Sequence, residues 1–210
     1  TTEGATGLFT SAIARALNYA IANKIDIINC SYSMPTTLST AEEQAYTAVL
    51  NAGILLVFAS GNSGNATLPE FANRAGVSTV GNIHVDDVRN GSSYGEYLKF
   101  SCYGTSVMSC SREHKSGFEA MSGTSQASPV MAGIAAMYMQ LFPELTREQL
   151  VQKMIDNAHI PIMPDTEHHV EYGYGIVMPP SELYALPIVE QSIPRGAYRT
   201  GDSACNFYAI

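Results

Sequence analysis

The spacing of apolar residues divides the chain into alternating helices and strands. Apolar side chains that recur every three or four residues predict a first helix from about 8 to 23. Short runs rich in β-branched and other apolar residues follow it and predict buried strands. These strands are predicted over 25–28, 54–58 and 77–83, with two or three shorter strands over 97–121.

A second helix is predicted after the first strand. Ser39 with Glu42, or Thr40 with Glu43, has the spacing of a capping box, in which each side chain bonds the other residue's backbone N–H. Gly53 supplies the end of this helix, because glycine readily adopts the positive φ found just beyond many helices. Both capping alternatives fit the sequence equally well.

A long helix is predicted from about 124 to 141. Pro143 ends it, and Thr146 with Gln149 opens another helix through a second capping box. Strands that alternate with helices, and that are apolar throughout, indicate an α/β fold with a mainly parallel sheet covered by helices on both faces. We expect residues 1–210 to form a single domain, with 159–175 as a loop.

The composition limits the classes of partner. The chain has 210 residues, of which 46% are hydrophobic and 14% charged, so it can bury one sizeable core. Its 19 acidic and 11 basic residues give a net charge of −8 without a basic stripe, which argues against nucleic acid and anionic membranes as partners. No apolar run reaches the roughly 18 residues that a membrane span needs.

The four cysteines, Cys30, Cys102, Cys110 and Cys205, are even in number but sparse, and none belongs to a C-x-x-C pair. Two interpretations stay open for Cys102 and Cys110. They form a bridge across adjacent strands, or they are free thiols, as many buried cysteines are. Neither interpretation fixes the redox compartment.

The most informative stretch is GTSQASPVMAG, at 123–133. It places Ser125 at the start of an apolar helix, where free backbone N–H groups and the positive end of the helix dipole favour a developing oxyanion. An isolated G-T-S would be read as a helix N-terminus with a capping serine. The full string instead indicates a nucleophile.

The pattern G-T-S-x-A-S-P-x-x-A-G resembles the nucleophile signature of the subtilisin-like serine proteases. Four more segments resemble the family in order and spacing, so that the likeness covers about 8–186 and leaves 187–210 as a C-terminal extension. They are the strand before the substrate-binding edge at 26–31, the oxyanion loop at 58–64, a core strand at 80–82 and the closing Y-G-x-G segment at 172–177. The resemblance implies a three-layer α/β subtilisin-like fold.

The resemblance also implies roles for single residues. Ser125 would attack a peptide carbonyl and form an acyl-enzyme, as a serine endopeptidase does. The side-chain amide of Asn62, with the backbone N–H of Ser125, would stabilise the oxyanion.

The implied substrate is an extended polypeptide that pairs with Ser31, Tyr32 and Ser33 as an added strand. One wall of the pocket for the residue before the cut would be formed by Ala59, Ser60 and Gly61. The family usually has Leu-Gly where this chain has Tyr32-Ser33, so the subsite shape departs from the common pattern.

The family's triad motifs for Asp and His, which resemble D-x-G and H-G-T-x-V-A-G, are missing. None of the five histidines has the required context, and none is assigned to the triad: His84, His114, His159, His168 and His169. We therefore expect the N-terminal strands to be missing from this chain, and Asp and His to come from an upstream segment or a smaller separate chain left by internal cleavage. Two alternatives stay open: a fragment of a longer protease, or a noncatalytic relative that binds peptides or a partner.

The chemistry implied here requires no cofactor. Members of the family bind structural calcium, but the sequence identifies no ligand set, and the adjacent histidines in 167–171 are interpreted as solvent-facing rather than as a metal site. The family default for location is secreted or in the cell envelope.

Overall fold

The computed structural model describes residues 10–32, 38–111, 117–159 and 168–182. Its helices are α1 (Thr10–Ala22), α2 (Thr40–Asn51), α3 (Thr124–Leu141) and α4 (Arg147–Asp156). Its strands are β1 (Ile27–Cys30), β2 (Leu55–Ala59), β3 (Ser78–Ile83), β4 (Leu98–Tyr103), β5 (Val107–Cys110) and β6 (Phe118–Met121). Within these ranges, no helix has the length and apolar character needed to cross a membrane.

Four of the strands form one parallel sheet in the order β1-β2-β3-β4. The other two, β5 and β6, form a separate antiparallel hairpin directly before α3. The predicted parallel sheet is therefore confirmed, and the 97–121 region contains three short strands. All four carboxyl ends of the parallel strands lie at one edge of the sheet, where α/β proteins commonly bind ligands.

Helices cover both faces of the sheet. In β2, Val57 packs with the α3 and α4 side chains, whereas the next residue, Phe58, packs with those of α1 and α2. Successive strand residues point to opposite faces, so a strand buried on both sides is apolar throughout. The three-layer α/β arrangement is thus confirmed.

The two capping boxes are formed largely as the sequence predicts. Ser39 caps α2 and exchanges hydrogen bonds with Glu42, so the alternative pair Thr40 and Glu43 is wrong. Thr146 and Gln149 form the equivalent box at the start of α4. Each box satisfies two backbone N–H groups that the first helical turn leaves free.

The first strand begins two residues later than predicted. The N–H of Ile25 donates to the carbonyl of Ala20 at 3.0 Å, and Lys24 has a φ of 52°. Ile25 therefore closes the end of α1 instead of joining the sheet, and 40% of it is exposed. The β-branched pattern indicated a strand correctly but could not show that its first residue serves the preceding helix.

Of the two interpretations left open for Cys102 and Cys110, the bridge is excluded. Cys102 is buried in β4, whereas Cys110 is exposed in β5, and the two strands belong to different sheets. Burial raises the pKa of the Cys102 thiol to about 12 and that of Cys30 to about 11, so both are protonated at neutral pH. Cys205 lies outside the described residues.

Gly104 lets the end of β4 approach the start of α3. A Cβ atom at this position would lie 2.7 Å from the Cβ of Ala127 and 2.7 Å from the carbonyl oxygen of Gly123. Backbone and Cβ atoms cannot rotate away as the tip of a flexible side chain can. We therefore expect Gly104→Ala to lower the free energy of unfolding by about 3 kcal/mol, measured by urea denaturation.

Gly133 offers a matched control. It lies inside α3, and an added Cβ would contact no other described residue within 4 Å. Because alanine favours a helix interior over glycine, Gly133→Ala should raise the free energy of unfolding by about 0.5–1 kcal/mol. Equal effects of the two substitutions would contradict the close packing inferred at Gly104.

Candidate active site

Ser125 is the second residue of α3, at the edge of the sheet that carries the carboxyl ends of the parallel strands. Its hydroxyl donates a hydrogen bond to the main-chain carbonyl of Ser31, directly after β1, at 3.0 Å. The preceding N-cap, Gly123, has no side chain that could cap the helix. Among the described residues, the backbone N–H of Ser125 has no hydrogen-bond partner. This N–H is therefore available to a ligand at the positive end of the helix dipole.

Asn62 lies in the loop after β2 and is held by the start of α3. Its Oδ1 accepts hydrogen bonds from the backbone N–H of Thr124 at 2.9 Å and from the Thr124 hydroxyl at 3.0 Å. A backbone N–H can only donate, so the atom facing it has to be the amide oxygen. The Nδ2 group is then directed elsewhere as a donor, and it has no partner among the described residues.

Gly123 allows these two donors to come close together. It has a φ of 144°, and a Cβ there would lie 3.2 Å from Oδ1 and 3.3 Å from Nδ2 of Asn62. A side chain would therefore be strained and would press on the amide. The glycine of the G-T-S motif keeps the space between Asn62 and the helix start open.

Thr124 is a positioning residue that the sequence analysis did not single out. It is 1% exposed, and its hydroxyl also accepts a hydrogen bond from the N–H of Gly61 at 3.2 Å. One threonine thus fixes both the loop after β2 and the Asn62 amide. The signal was present as the middle residue of G-T-S, but its partners lie 62 and 63 positions away in the chain.

A second connection that the sequence analysis overlooked joins α3 to β1. The Ser128 hydroxyl bonds the Oδ1 of Asn29 at 2.5 Å, and the Nδ2 of Asn29 donates to the Ser31 hydroxyl at 2.9 Å. These bonds hold the end of β1 next to Ser125. Ser31 is therefore fixed beside Ser125 through its neighbours as well as through its own carbonyl.

Tyr32 directs its side chain into the core. Its hydroxyl bonds that of Tyr46 at 2.5 Å, and its ring packs edge-on against Phe58. Burial, together with the nearby Cys30 thiol, raises the pKa of Tyr32 well above its ordinary value. Only the main chain of Tyr32 is left for strand pairing with a substrate, and that role stays a prediction. Ser33 lies outside the described residues.

The predicted pocket wall at the end of β2 is mostly buried. Ala59 is 4% exposed, and the Ser60 hydroxyl is buried without a hydrogen-bond partner in the described part of the chain. Gly61 accepts a hydrogen bond from the N–H of Ser93 at 2.8 Å, which ties the wall to the loop before β4. The three residues lie directly beside Asn62. Their role as a substrate pocket stays a prediction.

No histidine in the described ranges contacts Ser125. His84 pairs with Asp86, His159 pairs through its backbone with Ile176, and the ring of His168 bonds the carbonyl of Leu98. His169 pairs through its backbone with Gly173 and packs on Tyr172. His114 lies outside the described residues. Ser125 therefore has a main-chain carbonyl, and not an imidazole, as its hydrogen-bond acceptor.

The predicted solvent-facing histidines are engaged with protein groups instead. The N–H of Glu171 donates to a ring nitrogen of His169, and the Glu171 carboxylate pairs with Arg89. Within the described ranges, no group of three or more His, Cys, Asp or Glu residues is arranged to hold a metal ion. Glu167 lies outside those ranges.

The sequence matches known proteins over most of its length. The family model described as "Subtilase family" matches residues 2–176. The thermostable alkaline protease of Halalkalibacterium halodurans is 33% identical over 168 residues, which cover 80% of this chain and 44% of that protein. Subtilisin DY of Bacillus licheniformis is 33% identical over 153 residues, covering 70% of this chain and 55% of the relative. The chain thus spans about half the length of these relatives.

Solved structures give the same result for the fold. A cold adapted subtilisin-like serine proteinase superposes with a TM-score of 0.70 at 25% identity, covering 82% of this chain and 63% of its own. The prenylagaramide maturation protease PagA superposes with a TM-score of 0.72 at 22% identity. The match covers 85% of this chain and 68% of PagA. The peptide-bound PatG macrocyclase superposes with a TM-score of 0.69 at 24% identity. The match covers 83% of this chain and 55% of the macrocyclase chain.

Proposed function

The chain belongs to the subtilase family, and from this premise we propose that it is a serine endopeptidase with Ser125 as the nucleophile. One observation supports the proposal above the others. Two donors that an oxyanion requires, the Ser125 N–H and the Asn62 Nδ2, both lack hydrogen-bond partners among the described residues, and they lie next to the Ser125 hydroxyl at the start of α3. A helix start that served only structure would have no need for this pair.

The proposed reaction has two stages. The Ser125 oxygen attacks the carbonyl carbon of a peptide bond while a histidine accepts its proton, and the carbonyl oxygen becomes an oxyanion held by the two donors. The C–N bond then breaks, and the histidine returns its proton to the leaving amine. Water attacks the resulting ester in the same way, releasing the acid and restoring the Ser125 hydroxyl.

We also propose that this histidine and its partner aspartate come from an upstream segment or a separate chain that lies beside β1. In the described sheet, β1 is an edge strand, and its carboxyl end leads to Ser31, whose carbonyl holds the nucleophile. An apolar groove of about 290 Å³ runs along it, lined by β1 and by small α1 residues such as Ala12, Ala16 and Ala20. A strand added parallel to β1 would cover this groove and end close to Ser125.

The alternative is a noncatalytic protein that binds extended peptides or a partner chain. It shares the fold and the substrate edge with the proposed peptidase, so peptide binding does not distinguish the two. Turnover does. A binding protein would release the peptide intact, whereas a peptidase would return two fragments.

The pH dependence of peptide hydrolysis tests the proposal. We expect the native protein to cleave an unstructured polypeptide, with kcat/KM falling as the pH drops below about 6.5, where an ordinary imidazole becomes protonated and cannot accept the Ser125 proton. Peptide binding without cleavage, by a folded sample that contains the Asp- and His-bearing segment, would favour the alternative.

A further inference from the structure

A second cavity lies at the opposite end of the sheet from Ser125. It has a volume of about 230 Å³ and lies between α4 and the amino ends of β3 and β4. Its polar and charged lining comes from Ser78, Lys99, Arg147, Glu148, Gln152 and Tyr174. We refer to it as the Lys99 cavity.

The Lys99 side chain is half-buried and pairs with no carboxylate of the described residues. Its ammonium lies 5.1 Å from the centre of the Tyr174 ring, and among the described residues it makes no ion pair or hydrogen bond. Burial lowers the pKa of Lys99, which reflects the cost of removing its charge from water. A cation held in this way gains most from an anion placed beside it.

Lys153 shows what the Lys99 environment lacks. Its ammonium also lies over an aromatic ring, 4.2 Å from the centre of Phe142, but it pairs with the Glu182 carboxylate at 3.1 Å. The two lysines therefore share an aromatic contact and differ in the anion. In the described part of this acidic protein, the anionic position beside Lys99 is not taken by a side chain.

The backbone holds Lys99 in place. Thr79 pairs with Leu98 and Val80 with Phe100, so Lys99 is the extra residue of a β-bulge, a feature that redirects a side chain. The carbonyl of Lys99 accepts a hydrogen bond from the N–H of Tyr174 at 2.9 Å. A Cβ on Gly173 would lie 2.5 Å from that same carbonyl oxygen, so only glycine permits this approach. The position of Lys99 is thus set before any ligand arrives.

Ser78 supplies a second, independent donor. Along β3 it points to the same face as Val80, which packs against α3 and α4, so its side chain faces the cavity side of the sheet. Ser78 is 1% exposed, and its hydroxyl has no hydrogen-bond partner among the described residues. Its neighbour Thr79 points to the other face and donates to the carbonyl of Ala72 at 2.6 Å.

We propose that the Lys99 cavity binds a small oxyanion, a carboxylate or a phosphate, through the Lys99 ammonium and the Ser78 hydroxyl. Arg147 and Glu148 pair with each other at the rim, so their charges cancel and the Lys99 charge remains. The site does not depend on the peptidase proposal, because none of its residues belongs to the Ser125 site. Its occupant would stabilise the junction of α4 with the sheet.

Titration calorimetry of the native protein with sodium phosphate and, separately, sodium acetate tests this site. We expect saturable binding of at least one of them, weakened at least about tenfold by Lys99→Met and to a smaller degree by Ser78→Ala. Lys153→Met, which removes a lysine in a similar aromatic setting, should leave binding unchanged. Binding of phosphate alone would identify a phosphate site, and binding of acetate alone a carboxylate site.

Unfolding midpoints separate this site from general salt effects. Exclusion of phosphate from the protein surface raises stability without saturation and by the same amount in every variant. A specific site predicts a saturable rise that is lost in Lys99→Met and retained in Lys153→Met. If Lys99→Met fails to fold, the same comparison is made with Ser78→Ala, in which the saturable rise should be reduced. Absence of saturable binding, or equal binding by the Lys99 and Lys153 variants, would overturn the proposal.

Discussion

Ser125→Ala is expected to lower kcat/KM for peptide hydrolysis by at least about 10⁴-fold, the scale typical of a lost serine nucleophile. In the proposed mechanism, the substitution removes the oxygen that forms the acyl bond, while the described structure loses only the hydrogen bond to the Ser31 carbonyl. Peptide affinity and the unfolding midpoint should therefore change little. Steady-state kinetics and urea denaturation on the same samples provide the measurements.

Ser63→Ala is the matched control for this prediction. Ser63 lies next to Asn62 and is exposed, and its side chain has no hydrogen bond among the described residues. The kcat/KM of the Ser63→Ala variant should remain within about twofold of that of the unmodified protein, as expected of a surface substitution. If Ser125→Ala retained more than a tenth of the activity in a folded protein, another residue would have to be the nucleophile.

Asn62→Ala is the prediction with the second largest effect. We expect kcat to fall about 10²–10³-fold with KM nearly unchanged, a magnitude known for the equivalent donor in the subtilase family itself. The reason is that the Nδ2 donor would act on the oxyanion, which exists only after Ser125 has attacked. A rise in KM at constant kcat would instead place Asn62 in ground-state binding.

Thr124 tests whether the orientation of Asn62 matters. Thr124→Val removes the hydroxyl that bonds Asn62 and Gly61 but keeps the shape and the backbone N–H. We expect kcat to fall about tenfold, the effect of one lost buried hydrogen bond. The double variant of Thr124→Val and Asn62→Ala should have nearly the same kcat as Asn62→Ala alone, because both substitutions affect the same donor. Additive losses would show that Thr124 acts through some other contact.

The helices were the most predictable part of the fold. The sequence predicted α3 over 124–141, and the structure has it at Thr124–Leu141, because Gly123 and Pro143 mark its ends. The capping pair of α4 was equally readable, and that of α2 was one of two open alternatives, since a box needs residues only three apart. The start of β1 could not be predicted in this way, because the N–H of Ile25 bonds a carbonyl at the end of α1.

The candidate site was predictable in its residues but not in its connections. The motif around Ser125 and the loop at Asn62 were found as separate segments. The bonds by which Thr124 fixes Asn62 depend on two loops meeting at the carboxyl edge of a parallel sheet, which no local pattern encodes. The inward side chain of Tyr32 is a similar case, because its partner Tyr46 belongs to α2.

The most direct test of the central claim is a fluorophosphonate probe, which reacts only with an activated serine. The native protein should be treated with the probe, the labelled peptide mapped by mass spectrometry, and each polypeptide in the sample identified. Labelling at Ser125, lost in Ser125→Ala and retained in Ser63→Ala, is the predicted result. A folded sample that contains the Asp- and His-bearing segment but carries no label, or carries it on another serine, would contradict the assignment of Ser125 as the nucleophile.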